Sequence, residues 1–350
     1  MFPPPAKGKG GKAMTRTRDI SGSGQIFSLL LLSQCFWLLC YRPSLANGLL
    51  TLAASAVAYG AVFLLAVVFR RRAVAEKLLS PFLSLFGTLL AVGYFAVTAS
   101  SLLSAARVIF EGAFSPLLLL LVLLGTVFAA AATGQEALGR AAFISLFLFL
   151  VGVLLLTLGG LQQGTMLNLR PPERDISRLG SEILYLLPRQ AEPLLLFAFL
   201  PRTDRSRSAA LLLWPPAGWL LNDFLLLLSA LVLGHLGSLQ PYPLYLLAQS
   251  AGLSGMVPVY CFLLLTAAFF RLSGLAAAAL RLGENTRCRP KPLFWAVVIL
   301  CAAGIILLHY TGWAEAAVYP VLGIAALVWL LLLLLLPTKA QSAQKGGADR

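Results

Sequence analysis

The chain has 350 residues, 59% of them hydrophobic and only 11% charged, and the apolar residues arrive in long blocks rather than at amphipathic spacing. A soluble core cannot hide that much apolar side chain, so the composition points to a bilayer. The formal net charge of +14 would suit nucleic acid on a soluble protein, but here the charge is scattered through short segments between apolar blocks, which argues against a phosphate-binding face.

A helix needs about 20 mostly apolar residues to cross a hydrocarbon layer about 30 Å thick. After a basic tail at 1–19, charge-free runs at 20–41, 43–69, 78–106, 112–135 and 141–169 each predict a span. The "GKGGK" at 8–12 lacks phosphate-loop spacing and reads as a flexible basic segment. Although "PSLA" at 43–46 loosely resembles a cleavage site, the charged region ahead of the first run is too long for an ordinary signal peptide. Inside the first span, Ser33, Gln34 and Cys35 form a polar patch that either hydrogen-bonds a ligand or glues helices together.

The charged loop "LNLRPPERDISRL" at 167–179 divides the chain into halves at 20–161 and 179–336, joined by a linker at 162–178. The second half opens with segment 179–200. Two spans follow within 208–280, separated by the turn-rich "GSLQPYPLYLLAQSAGLSG" at 237–255, and runs at 293–314 and 316–338 lead into the tail 337–350. Ten spans in two sets of five place the second set upside down relative to the first. The expectation is an all-α integral membrane protein with a 5+5 inverted-repeat, transporter-like fold and a solute site at the midplane.

Segment 179–200 holds "PRQAEP" at its centre. Pro188 and Pro193 each remove a backbone donor and clash with the preceding turn, which predicts a broken sixth helix made of two half-helices. Irregular backbone at membrane depth is tolerated only against protein or a water-filled cavity, so Arg189 and Glu192 become ligand-site candidates together with the two prolines. Alternatively, Arg189 and Glu192, three residues apart, pair with each other, or the segment is a re-entrant hairpin without a site. Asp223 and Arg271 are the other deep charges. Each either pairs, snorkels or serves an ion-coupling step.

With the N-terminus cytoplasmic, inner segments carry 20 of the 27 basic residues, among them Arg72, Arg205 and Arg289, whereas the outer loops hold few, such as Arg174. That asymmetry obeys the positive-inside rule and puts both termini in the cytoplasm. The five cysteines show no paired spacing, and His235 and His309 lie far apart near span ends, so neither a disulfide framework nor a metal site is indicated. No cofactor motif, nucleophile or acid–base pair favours an enzyme.

Several short motifs resemble those of the B subunits of bacterial spore germinant receptors, permease-like members of the amino acid, polyamine and organocation superfamily. The entry to span one, "ISGSGQIF" at 20–27, is similar to the family's I-S-x-x-Q pattern with one residue more. Glu192 and Pro201 within "EPLLLFAFLP" match an acid placed before an apolar run ending in proline, and Tyr242-Pro243 followed by "FFRLS" at 269–273 echoes the family's F-x-[KR]-x-S pattern. The family's usual glycine at the span-one break is replaced by Ser33–Cys35, and no tryptophan precedes Arg271. The resemblance implies a protein of the bacterial spore inner membrane. It would bind a small germinant such as an amino acid and signal through A and C partner subunits. An amino acid or amine secondary transporter, and a membrane scaffold without a ligand, are the alternatives.

Overall fold

The computed structural model describes residues 22–40, 49–71, 81–110, 115–168, 176–199, 212–234, 236–237, 240–251, 255–284, 290–312 and 318–335. Among them run α1 (Ser23–Cys40), α2 (Leu49–Arg71), α3 (Pro81–Ile109), α4 (Pro116–Thr133), α5 (Gln135–Leu161) and α6 (Ile176–Phe199), then α7 (Trp214–Leu233), α8 (Pro243–Ser250), α9 (Met256–Glu284), α10 (Pro290–Thr311) and α11 (Tyr319–Leu335). No strand occurs among the described residues. The tails 1–19 and 337–350, and Arg72, Arg174, Arg205, His235 and Arg289, lie outside them.

The protein is an all-α membrane protein. Among the described residues, eight helices are long and apolar enough to cross a bilayer, namely α1 to α5, α7, α9 and α10. Both remaining segments expected to span are also helical: α11 is apolar but has only 17 residues, and α6 carries Arg and Glu side chains that lower its hydropathy. Large apolar side chains stand outward on the peripheral helices, with Phe147 of α5 70% exposed and Ile299 of α10 63% exposed. A water-soluble monomer does not present patches of that size, and hydrocarbon chains are their natural cover.

Two local features differ from the sequence expectation. Within the stretch read as turn-rich, Pro243–Ser250 forms a helix, started by Pro243 in the first turn, where a missing amide costs nothing. The expected break in segment 179–200 is absent: α6 continues as helix through both Pro188 and Pro193. Neighbouring elements keep it intact. α6 packs lengthwise between α2 and α11, the Arg189 side chain donates to the Tyr185 carbonyl at 2.8 Å, and the Tyr94 hydroxyl of α3 donates to the Pro188 carbonyl at 3.3 Å. The helix thus runs unbroken through both prolines in a packed, side-chain-bonded environment.

α9 lies at the centre, against α1, α3, α4 and α5. Close approach uses small residues, as expected where helices pack by van der Waals contact. A Cβ on Gly87 of α3 would lie 2.7 Å from the Trp329 indole of α11, whose Nε1 donates to the Leu83 carbonyl at 2.9 Å.

Polar ties join helix ends in agreement with an alternating up-down order. After α5, the short turn Met166–Asn168 covers the end of α7, with Asn168 donating to the carbonyls of Leu231 at 2.8 Å and Val232 at 3.2 Å. These carbonyls have no partners inside their own helix, so the turn acts as a cap. Arg107 at the end of α3 meets His309 at the end of α10 at 2.7 Å, and Arg281 at the end of α9 donates to Gln135 at the start of α5 at 2.8 Å.

Candidate functional site

The charged centre of the bundle is assembled from five helices. Arg271, near the middle of α9, is wholly buried, and all three of its guanidinium nitrogens donate hydrogen bonds. Nη2 donates to Glu192 Oε2 of α6 and to the Tyr319 hydroxyl of α11 at 3.3 Å. Nη1 donates to the Ser33 carbonyl of α1 at 2.8 Å, and Nε to Thr98 Oγ1 of α3 at 3.2 Å. Both members of the Glu192–Arg271 ion pair are 0% exposed. A guanidinium presents a planar fork of donors, and burial is tolerable only when that fork is matched, as here.

Arg189 does not pair with Glu192. Its guanidinium lies 3.5 Å over the Tyr185 ring, 5.0 Å from the Tyr319 ring and 5.6 Å from the Trp37 ring. Although i and i+3 share a helix face, the Arg189 side chain folds back onto Tyr185, and the Glu192 carboxylate is taken by Arg271 of α9. Arg271 stands 4.8 Å from the same Trp37 ring, so the two cations share one indole. Trp37 and Tyr319 meet edge to face with centroids 4.6 Å apart.

Beside this centre runs a neutral chain. Gln34 of α1 donates to Gln190 of α6 at 2.7 Å, and Gln190 donates to the Tyr59 hydroxyl of α2 at 3.1 Å. Gly218 of α7 makes room for it, because a Cβ there would overlap Gln34 Oε1. Several buried polar atoms in the same place have no hydrogen-bond partner among the described residues: Glu192 Oε1, Gln34 Oε1, Ser33 Oγ and Trp37 Nε1. Buried polar atoms are ordinarily satisfied, which makes these four candidates for contact with a bound polar group.

The structure therefore brings Ser33, Gln34, Arg189, Glu192 and Arg271 to one junction. Pro188 borders it, packed on Gly323 of α11 so tightly that a Cβ on that glycine would overlap the proline ring. Pro193 is buried one residue beyond Glu192, and Cys35 is buried in α1 next to Gln34. Asp223 belongs elsewhere. It faces α2, where Ser55 donates to it at 2.5 Å, with Asn222 donating at 3.1 Å. Trp37, Tyr59, Thr98, Gln190 and Tyr319 were not singled out by sequence. Only Gln190, inside "PRQAEP", carried a signal that pointed to the centre.

The fold and this junction define a multi-helix membrane protein with a buried, charged centre. No protein-family model matches the chain, and no curated protein matches it in sequence.

Proposed function

We propose that the chain is the permease-like B-type subunit of a spore germinant receptor, binding a small polar solute at the central junction and passing occupancy on as a shift of helices. One observation carries this reading: a charged cluster with unpartnered donors and acceptors, enclosed by apolar helices near the middle of α1, α6 and α9. Intramembrane ionisable residues of this kind are functional by default. The layout is compatible with two inverted five-helix repeats. The third long helices of the two halves, α3 and α9, pack along each other, and the first ones, α1 and α6, touch beside the junction. By this reading the protein sits in a bacterial inner membrane, in the spore, with both termini cytoplasmic and with A and C subunits as partners. The resemblance implies an amino acid as the germinant.

A secondary transporter is the second reading, favoured by Asp223, a mid-helix carboxyl at a different interface, held by Ser55 and suited to a coupling proton or cation. Co-purification with A- and C-type subunits from spore membranes, paired with solute uptake by the purified chain in liposomes, separates the two. Partner capture without uptake supports the receptor, and uptake without partners supports the transporter. Neither result would leave a scaffold.

A further inference from the structure

We propose that the central site takes a small monoanion, whose carboxylate is held by Arg189 of α6 and the Trp37 indole N–H of α1. The proposal rests on the junction being a solute site and specifies the chemistry of the solute.

Charge at the junction is unbalanced. Arg189 and Arg271 approach the same indole, and Glu192 is committed to Arg271. Arg189 is only 5% exposed, yet it makes no ion pair among the described residues, and its one hydrogen bond goes to the Tyr185 carbonyl of its own helix. Glu182, the other carboxylate of α6, lies about two turns earlier. Aromatic faces offset only part of the desolvation cost of burying a cation. An anion entering the junction would neutralise this charge. A zwitterion would leave the net charge as it was.

The unused hydrogen-bonding groups agree with the sign of the charge. Arg189 retains N–H groups without acceptors among the described residues, and Trp37 Nε1 is a buried donor without one. Together they supply two elements, α6 and α1, from which a carboxylate can be held. The unpartnered acceptors Glu192 Oε1, Gln34 Oε1 and Ser33 Oγ suit a hydroxyl proton on the carbon beside the carboxylate. A short 2-hydroxy acid meets both requirements.

Lactate, alanine and lactamide differ in charge at nearly constant size. The full chain would be reconstituted in nanodiscs of uncharged phosphatidylcholine and its thermal unfolding followed at constant ionic strength with each probe. Lactate is expected to raise the midpoint, alanine less, and lactamide not at all. Arg189→Gln should abolish the lactate shift, and Trp37→Phe should weaken lactate about tenfold, the loss of one hydrogen bond to a charged group. Trp37→Phe keeps the proposal testable even where Arg189→Gln fails to fold. A lactate shift that survives in every folded variant, an equal shift with lactamide, or no shift with lactate overturns the proposal. An alanine shift independent of Arg189 overturns the monoanion while leaving the solute-site reading standing.

Discussion

Glu192 and Arg271, 79 residues apart in the chain, form an ion pair from which solvent is fully excluded, and that pair joins α6 to α9 at the centre of the bundle. Removing either partner leaves the other charge buried, at a cost of about 3–5 kcal/mol, whereas removing both leaves neutral amides that are far less costly to bury. Glu192→Gln and Arg271→Gln are each expected to lower membrane abundance and the unfolding midpoint, with the double variant recovering part of the loss. Additive losses in the double variant would show that the two side chains do not stabilise the fold through each other.

Gly218→Ala tests the neutral chain beside the pair. The added methyl overlaps Gln34 Oε1, so Gln34 must leave Gln190. Overpacking of this kind costs about 1–3 kcal/mol. A lowered unfolding midpoint is expected, restored when Gln34→Ala is added, and an unchanged midpoint in the single variant would mean that α7 stands further from α1.

The prolines of α6 are open to a direct test. Pro188→Ala with Pro193→Ala supplies amide donors where the helix now has none, and each interior proline costs about 3 kcal/mol relative to alanine. The double variant should accumulate in the membrane at least as well as the parent. Its response to solute, read as the shift in unfolding midpoint, should be smaller because the stiffened helix yields less. An undiminished response would make the prolines incidental.

Topology is checked by labelling. Single cysteines replacing Arg72, Arg205 and Arg289 should react from the cytoplasmic side, and one replacing Arg174 from the other. Positions 72 and 174 reacting on the same side would contradict the alternation of spans.

What sequence reveals and conceals here follows from two kinds of physics. Transfer into hydrocarbon depends on composition along a window, so the positions of α1 to α5, α7, α9 and α10 were legible from charge-free runs. Partner choice depends on which way each helix is turned and on which helices are neighbours, and neither leaves a trace in hydropathy. Arg189 and Glu192 invited pairing because they are close in the chain, yet Glu192 found its partner on α9. Tyr319 reads in sequence as one aromatic at the start of the last span. In the fold it touches Arg271, Arg189 and Trp37 at once. The helix through Pro188 was misread for a related reason, since intrinsic propensity is overridden by the packing of α2 and α11 on either side.

The ties at the helix ends place a constraint on movement. Arg107 and His309 join α3 to α10, and Arg281 and Gln135 join α9 to α5. In the alternating order, α3 and α10 end at one membrane face, while α9 ends and α5 begins at the opposite face. α3 and α10 are therefore tied at one face and α9 and α5 at the other, with the charged centre between. Any movement of these helices that exposes the centre at one face must release the tie on that face, and the tie left closed becomes the pivot.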